Sequence, residues 1–587
     1  MALTQSQRAA VLYDSHLILF AGPGSGKTST SVAKGERILA SPDAHLGMVT
    51  FTTAGAEEMR SRLATSFLKR GATLPKHRLL SGTFHSIALR HFQRHAGSTK
   101  KLLAPPARSG MINGMLGHLD FETRNEFTLA LEKYQGAIRQ DDSGLAPDVQ
   151  AFIQTYHQRL NSINAFDLAT MIRECTLGMR AGSIPLLPLT HLIGDEMQDA
   201  DQIQLELMLI HARAGITTTL VADDDQTIYE WRSALGYEGL MHFARETGAK
   251  TITLAENFRS RSEIVSHAQD LIRRNDPNRI DKNPNAVRGP GGRVGYVAAS
   301  HIEQECTNIA NTLNTCKPTG GACAILGRSN RDLDAMESAL LGCDPPIPYQ
   351  RDGQSIWQTP EVQAFLCLLR ALLNGHTTDL VSVLSLLPLD LKTRMAFESH
   401  LGGRCGDFLD GEVPDLQHGT EIDRKELVDF TTVTSYVRTR LRRGEIAMAI
   451  PTAGNEVRRL LKAQPRARPR QIDALLDAVE SVLQKLTGPL SSRLATLARL
   501  QHANDVGNVR LMTMHSSKGL EFDTVFLLNA SAPDDGSTLL EDQAERRLFY
   551  VGMTRAKDNL VVSFNGRAIK YIGEAGLRQA ASMREIF

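Results

Sequence analysis

The chain has 587 residues, which at about 150 residues per domain corresponds to roughly four domains and excludes a single small module. Hydrophobic residues make up 42% and charged residues 22% of the chain, with 46 glycines and 23 prolines, so a disordered, collagenous or low-complexity protein is excluded. The formal net charge of +1 excludes a uniformly basic nucleic-acid coat and leaves a local basic channel open.

Neither the apolar runs nor the cysteines point to a membrane or secreted protein. The apolar runs are shorter than the ~18 residues that a membrane span needs, and the N-terminus lacks the basic and apolar regions of a signal peptide. The 7 cysteines are scattered and none forms a CxxC pair, which argues against a disulfide framework and against a zinc site. We therefore expect reduced thiols in a cytoplasmic protein without a membrane partner.

The first predicted elements alternate between strands and helices. Short apolar runs at 17–20 and 48–51 are each followed by a helix-like stretch, a pattern typical of a parallel sheet covered on both faces. Strand-like runs resume at 191–193 and 217–221. Residues 89–185 consist of helix-like pieces, so we predict a helical insertion in a first α/β domain.

A second α/β domain is predicted after a Gly/Pro-rich stretch at 288–292, which suits a turn or linker. Short strands begin again at 294–297 and 322–326, and the chain reads as helical from about 374 to 505. Further strand patterns follow at 509–513, 525–528 and 560–562. The predicted organisation is two α/β domains, each with a mainly helical insertion.

A phosphate-binding loop is predicted directly after the first strand. The sequence AGPGSGKT at 21–28 places three glycines where a tight loop can turn its backbone N–H groups toward an anion. Lys27 supplies a cation for the β- and γ-phosphates, and the Thr28 hydroxyl is a ligand for Mg²⁺. The first position is alanine instead of the glycine of the strict pattern, but a strand before the loop and a helix after it fit a nucleotide site.

Two acidic residues follow another buried strand pattern, at Asp195 and Glu196. A phosphate-bound Mg²⁺ needs a carboxylate on a neighbouring strand, so Asp195 would hold the metal and Glu196 would polarise the attacking water. An apolar run that ends in two acids is also typical of an exposed strand end. Only together with the phosphate loop does it indicate a nucleotide site.

Phosphoryl transfer also needs cations against the charge that develops on the γ-phosphate. Arg259 in ENFRS and Arg555 in GMTRAK are candidates. By spacing alone, each is an ordinary surface arginine.

Nine ordered segments give the chain a specific likeness, and on them the sequence resembles the UvrD/Rep/PcrA-type superfamily 1 DNA helicases. The likeness runs from end to end and is weakest in the two helical stretches. The matching segments are the Q motif at 3–7, motif I at 21–28, motif Ia at 49–52 with 56–60, motif Ib at 82–86, motif II at 195–199, motif III at 223–232, motif IV at 254–260, motif V at 512–522 and motif VI at 545–557.

The resemblance implies two RecA-like P-loop domains, with ATP in the cleft between them. It also implies a division of the chain into six segments. Motor domain 1A takes 1–88 and 186–262 around insertion 1B at 89–185, and motor domain 2A takes 263–373 and 506–587 around insertion 2B at 374–505.

The resemblance assigns residues to ATP and Mg²⁺, the two implied cofactors. Catalysis falls to Glu196, to Gln226 as the γ-phosphate sensor, and to Arg259 and Arg555 as arginine fingers. Thr28 and Asp195 are assigned to the metal. Nucleotide binding is assigned to Gln7 as the adenine reader, to Gly22, Pro23, Gly24, Ser25, Gly26, Lys27 and Thr28 of the loop, to Phe258 stacked on the adenine, and to Glu521 at the sugar.

A single-strand contact is predicted at Tyr229, Trp231 and Arg232, because stacked bases need aromatic platforms and nearby cations. In isolation the three residues are more typical of a packed core, and it is the resemblance that favours a base platform. Trp357, the other of the 2 tryptophans, we expect to be structural. The remaining implied strand contacts are Phe51, Phe84, His85 and His515.

The second helical segment departs from the family pattern. Where the family has an arginine-glycine hairpin signature for duplex DNA, this chain reads LPLDLKTRMAFESHLGG, so duplex engagement by 2B stays open. Residues 438–470 contain ten Lys and Arg against Glu445 and Glu456. Such a stretch either forms a solvated face or contacts DNA phosphates. In motif II, Gly194 stands where the family usually has an apolar residue.

We interpret the chain as an ATP-dependent 3′→5′ single-strand DNA translocase and DNA helicase, with direction and substrate taken from the resemblance. The alternative is a DNA-end or nucleotide-sensing ATPase that gates a partner nuclease or effector, as in phage defence. The expected partners are single-stranded and tailed duplex DNA, together with a nuclease or a repair or replication protein. The chain would act as a monomer or as a component of a larger complex.

Overall fold

The computed structural model describes residues 3–117, 119, 121–229, 233–275, 279–316, 321–343, 345–353, 355–401, 405–413, 421–465, 467–502, 508–532 and 539–587. The chain divides into two compact units. The first unit comprises Met1–Gly292, Asp535–Lys557 and Gly573–Gly576. The second comprises Arg293–Asp534, Asp558–Ile572 and Leu577–Phe587.

The described strands are β1 (Leu17–Ala21), β2 (Leu46–Thr50), β3 (Leu79–Thr83), β4 (Lys101–Leu102), β5 (Ala165–Phe166), β6 (His191–Gly194), β7 (Thr217–Ala222), β8 (Lys250–Leu254), β9 (Glu256–Asn257), β10 (Asn285–Ala286), β11 (Arg293–Ala299), β12 (Cys323–Gly327), β13 (Tyr349–Arg351), β14 (Val509–Thr513), β15 (Phe522–Leu527) and β16 (Ala556–Asn565).

The described α-helices are α1 (Gln5–Leu12), α2 (Lys27–Leu39), α3 (Thr53–Lys69), α4 (Phe84–His95), α5 (Pro105–Leu116), α6 (Phe121–Gly136), α7 (Pro147–Ser162), α8 (Leu168–Ala181), α9 (Gln202–Arg213), α10 (Gly236–Thr247), α11 (Ser262–Ile272), α12 (Ile302–Cys316), α13 (Asn330–Leu341), α14 (Pro360–Asn374), α15 (Thr377–Leu384), α16 (Leu391–His400), α17 (Cys405–Leu409), α18 (Glu421–Arg442), α19 (Ile446–Lys462), α20 (Pro469–Lys485), α21 (Leu490–His502), α22 (Leu539–Met553), α23 (Lys570–Glu574) and α24 (Met583–Ile586).

The first unit is built on a six-stranded sheet in the order β3-β2-β6-β7-β1-β8. Its strand pairs are parallel, and β1, which lies between β7 and β8, is buried along its whole length. Two apolar cores cover the two faces of the sheet, since side chains of β1 alternate between them. The predicted parallel α/β sheet is therefore confirmed. Since the carboxyl ends of these strands meet at one edge, the loops after β1, β6 and β7 lie next to one another.

Helices α5 to α8 lie in the stretch 89–185 that the sequence predicts to be a helical insertion. Apolar residues of α5, α6 and α7 make a small core of their own, which includes Leu116, Leu131 and Tyr156. The short strands β4 and β5, which come before α5 and after α7, pair in parallel. The segment is mainly helical, as the sequence of 89–185 predicts, and α8 packs its apolar residues into the core of the sheet.

The second unit contains another six-stranded sheet, in the order β11-β16-β15-β12-β14-β13. The pairs of β11 with β16 and of β12 with β14 and β15 are parallel. Helices α14 to α20 pack into one continuous core that also includes Trp357, which is 1% exposed and hence structural as expected. The six-segment domain division stays a prediction, since the two compact units do not separate the insertions.

Two further observations concern membrane spans and cysteines. Among the residues that the structure describes, no helix has both the length and the hydropathy to span a bilayer. None of the six cysteines with described side chains is in a disulfide. Burial raises the pKa of the Cys175 and Cys323 thiols to about 12, so these sulfurs are poor nucleophiles.

Candidate active site

The loop between β1 and α2 has the backbone of an anion site. Gly24 and Gly26 have φ values of 69° and 81°, in the left-handed region that favours glycine. A Cβ atom at Gly24 would lie 2.5 Å from Arg259 Cβ, so close approach of a second segment also requires glycine there. Helix α2 begins at Lys27, which places its first N–H groups and its positive end at the loop.

Gln7 fixes the loop from the side of helix α1. Thr4 and Gln7 form a capping box at the start of α1, and Gln7 Nε2 also donates a hydrogen bond to the Ser25 carbonyl at 3.0 Å. Gln7 is buried, and its amide lies 2.7 Å from where a Cβ of Gly26 would be. Gln7 thus contacts the loop backbone here, and its role as adenine reader stays a prediction.

Lys27 and Glu196 form an ion pair across the site, with Nζ 3.2 Å from Oε1. Burial alone would lower the pKa of Lys27, but the carboxylates of Glu196, Asp223 and Asp195 outweigh burial and raise it. Glu196 has a φ of 57°, an unfavourable backbone conformation for a residue with a Cβ. The strained turn after β6 therefore directs the Glu196 carboxylate toward the phosphate loop.

Asp195 lies at the carboxyl end of β6 and is 6% exposed. Burial, with help from the Glu196 carboxylate, raises the pKa of Asp195 to about 7. Before it, Gly194 departs from the family pattern for a visible reason, since a Cβ there would lie 2.6 Å from Met197 Sδ. The methionine fills the space that an apolar side chain at 194 would need.

Gln198 connects the acidic turn to the next strand end. It is fully buried and donates from Nε2 to Glu196 Oε2 at 2.6 Å. Its Oε1 accepts from the Asp223 N–H at 3.0 Å. The motif places Gln198 in the sequence, but its spacing gives no indication of this linking role.

Gln226 and Arg555 meet inside the first unit. The 3₁₀ turn Asp224–Gln226 follows β7, and Gln226 donates from Nε2 to the Asp223 carboxylate. Gln226 Oε1 accepts from Arg555 Nη2 at 2.9 Å. Arg555 is 1% exposed; burial, together with the charge of Arg259, lowers its pKa to about 9.

Arg259 is held beside the phosphate loop by its neighbours. Asn257 donates from Nδ2 to the Pro23 carbonyl at 2.9 Å, and its Oδ1 accepts from the N–H of Arg259 at 2.9 Å. Phe258 donates its N–H to the Gly24 carbonyl at 2.8 Å. Arg259 itself donates to the Thr554 carbonyl at 3.1 Å. The two candidate arginine fingers therefore lie close together.

The residues present fit a magnesium nucleotide. Thr28 in the first turn of α2 and Asp195 at the end of β6 offer oxygen ligands, the donors that Mg²⁺ prefers. The left-handed backbone at Gly24 and Gly26 suits a loop that turns N–H groups toward phosphate oxygens. Glu521 belongs to the second unit and is exposed, and its contact with the sugar stays a prediction.

The predicted strand contacts fall in different environments. Phe51 is half-buried and packs against Phe84, with ring centroids 5.3 Å apart. Phe84 is only 1% exposed, so its ring supports Phe51 and offers no face to a base in this conformation. Burial, which outweighs the attraction of Asp167, lowers the pKa of His85, so this histidine is neutral at neutral pH.

The remaining strand contacts stay predictions. Tyr229 in the first unit and His515 in the second are half-buried. Trp231 and Arg232 lie outside the described residues, so the proposed base platform has no structural account here.

Six basic residues of the segment 438–470 form ion pairs with acids of the same helical region. Arg438 and Arg442 both contact Asp410, at 2.9 and 2.8 Å. Arg458 contacts Glu480 at 2.6 Å, and Lys462 contacts Asp473 at 2.7 Å. Two more arginines pair with acids in the same way, Arg440 with Glu445 and Arg459 with Glu456. These pairs favour a solvated, ion-paired face over a phosphate-binding one.

Comparisons with known proteins agree with the geometry. The family model described as the UvrD/REP helicase N-terminal domain matches residues 3–142 and 121–245, and the one described as the UvrD-like helicase C-terminal domain matches 252–394 and 425–567. The chain is 28% identical to DNA helicase II of Haemophilus influenzae, over 95% of this chain and 83% of that protein.

Two more relatives give the same picture. The chain is 27% identical to DNA helicase II of Escherichia coli, over 96% of this chain and 84% of the relative. It is also 27% identical to the ATP-dependent DNA helicase UvrD1 of Mycobacterium tuberculosis, over 96% of this chain and 82% of that protein.

Proposed function

Since the chain belongs to the UvrD/Rep-type family of superfamily 1 DNA helicases, we propose that it hydrolyses ATP and uses the energy to move 3′→5′ along single-stranded DNA and separate duplexes. The observation that carries the proposal is a continuous set of contacts in the first unit. Lys27 pairs with Glu196, Gln198 joins Glu196 to the Asp223 loop, and Gln226 of that loop accepts from Arg555. A cation, a base, a polar sensor and a second cation are what phosphoryl transfer needs around one phosphate.

The roles follow from the contacts. Lys27 binds the β- and γ-phosphates. When Lys27 turns from Glu196 to the nucleotide, the Glu196 carboxylate loses its cationic partner and can accept a proton from water. Gln226 senses the γ-phosphate, while Arg259 and Arg555 stabilise charge in the transition state. Thr28 and Asp195 would hold Mg²⁺, and the ion would supply positive charge against the phosphate oxygens.

Single-stranded and tailed duplex DNA are the proposed substrates. The proposed location of the protein is the cytoplasm. Phe51, Tyr229, Trp231 and His515 are the proposed contacts, because aromatic faces bind bases without regard to sequence. Arg232 and His85 are further proposed contacts to the DNA strand. The likeness to the helicase family supports all of these assignments.

The first experiment compares DNA-stimulated ATP hydrolysis by the wild-type protein and Lys27→Ala. We expect the wild type to hydrolyse ATP faster with single-stranded DNA and Lys27→Ala to be inactive while folded, because the loop loses its phosphate cation. Lys69→Ala, an exposed lysine of α3, is the matched control and should behave as wild type. Wild-type turnover by folded Lys27→Ala would overturn the site assignment.

A further inference from the structure

A buried charge cluster surrounds the turn that carries Gln226. Asp223, Asp224 and Asp225 are all buried, and the segment 279–282 lies against them. Lys282 Nζ is 3.2 Å from Asp223, 2.6 Å from Asp224 and 2.7 Å from Asp225. None of the helicase motifs contains this lysine, and it is separated from the aspartates by more than fifty residues of sequence.

The segment 279–282 contacts the turn at three points. Arg279 donates two hydrogen bonds to Asp225, at 2.8 and 3.0 Å. The N–H of Ile280 donates to Asp224 at 2.7 Å. Lys282 completes the set as the cation that touches all three carboxylates, and it is 3% exposed.

These charges need one another. Three carboxylates withdrawn from water repel each other, and burial without a partner strongly disfavours ionisation. Burial, although countered by Lys282, still raises the pKa of Asp224 to about 6. Without the Lys282 charge, one or more of the carboxylates of Asp223, Asp224 and Asp225 would therefore take up a proton or move.

One carboxylate of the triad leads directly to the catalytic groups. Asp223 accepts from the Gln226 side-chain amide, and the other end of that amide accepts from Arg555 at 2.9 Å. The ammonium of Lys282 thus lies two contacts from Gln226 and three from Arg555. Its side chain also runs beside the phosphate loop, 3.6 Å from where a Cβ of Gly22 would be.

We propose that Lys282 is a positioning residue for γ-phosphate recognition, which acts through Asp223 to hold the Gln226 amide in the orientation that Arg555 and the phosphate require. The inference rests on the ATPase function proposed above. Lys282 acts on the γ-phosphate side of the site, because the side-chain contacts of its ammonium lead through the Asp223 carboxylate to the Gln226 amide.

The test is a double-mutant cycle on ATP hydrolysis with single-stranded DNA. Lys282→Met should lower kcat by ~10- to 100-fold, the effect of a small misplacement of a catalytic group. In the Gln226→Ala background the same substitution should lower kcat no further. ADP affinity, which does not depend on the γ-phosphate, should be unchanged, and Lys282→Arg should recover much of kcat.

Equal losses of kcat in both backgrounds, equal loss of ADP and ATP affinity, or wild-type kcat in folded Lys282→Met would each overturn the inference. If Lys282→Met does not fold, Asp223→Asn replaces it, and it should show the same dependence on Gln226. An inactive wild-type protein would instead overturn the proposed function itself.

Discussion

Glu196 has to be both a partner of Lys27 and the base that activates water. In Glu196→Gln the amide keeps the size of the side chain but cannot take a proton. We expect ATP affinity to be retained and kcat to fall by ~10²- to 10⁴-fold, the usual contribution of a general base. Fluorescent-nucleotide titration and steady-state hydrolysis measure the two quantities. A loss of affinity as large as that of Lys27→Ala would give Glu196 a binding role.

Arg259 and Arg555 are the two cations at the γ-phosphate side of the proposed site. Alanine at either position should lower kcat by ~10³- to 10⁵-fold, as for other arginine fingers. Arg555→Lys should restore little, because an ammonium cannot replace the guanidinium fork that reaches Gln226. A variant whose kcat matches that of the wild-type protein would remove its arginine from the active site.

The sequence predicted the motif residues of the site but not all of the contacts between them. Lys27, Glu196, Gln226, Arg259 and Arg555 belong to recognisable motifs, and the structure brings them together in the first unit. Lys282 and the linking role of Gln198 could not be predicted, because their contacts join segments far apart in sequence. The burial of Phe84 could not be predicted from the sequence either, since its motif resembles a DNA contact whether or not the ring is accessible.

At the scale of elements, Lys34 holds the Q-motif helix in place. From α2 it donates to the carbonyls of Ala10 and Tyr13 at the end of α1, at 3.0 and 2.6 Å. Burial, with a smaller effect of Arg37, lowers the pKa of Lys34 from 10.5 to about 8. Helix α1 in turn carries Gln7, so this contact supports the phosphate loop.

Because the pKa of Lys34 is lowered on folding, the free energy of unfolding should depend on pH. Between about 8 and 10.5 the unfolded chain keeps a proton that the folded chain has released, so the Lys34 contribution to stability rises with pH. The unfolding free energy of wild type relative to Lys34→Met should increase by roughly 3 kcal/mol across that range. Denaturant unfolding of both proteins at several pH values measures it. A flat or falling difference would contradict the buried, perturbed lysine.

The ion-paired face of α18 to α20 leads to a prediction about DNA binding. Arg442→Gln with Arg443→Gln should leave the salt dependence of tailed-duplex binding unchanged, because these residues belong to a solvated surface. A phosphate contact would contribute about 0.9 per phosphate to the slope of log affinity against log salt. A slope reduced by nearly two on the double substitution would show that this face binds DNA after all.

At the scale of the whole molecule, alternation of strands and helices predicted the two parallel sheets, because a βαβ pattern allows few other folds. The two helix-like stretches do contain the helices α5 to α8 and α15 to α21, while the bounds of the insertions stay a prediction. Strand order could not be derived in this way. It depends on which buried strands pair across hundreds of residues, as β1 does with β7 and β8.

In the proposed mechanism, ATP hydrolysis at the Lys27–Glu196–Gln226–Arg555 site drives 3′→5′ movement on DNA. Strand displacement from 3′-tailed, 5′-tailed and blunt duplexes, with wild type and Glu196→Gln side by side, tests it most directly. We expect ATP-dependent displacement from 3′-tailed duplex alone, and none by Glu196→Gln. Displacement from 5′-tailed duplex, or DNA-stimulated hydrolysis without displacement from any substrate, would contradict it, the latter in favour of a sensing ATPase.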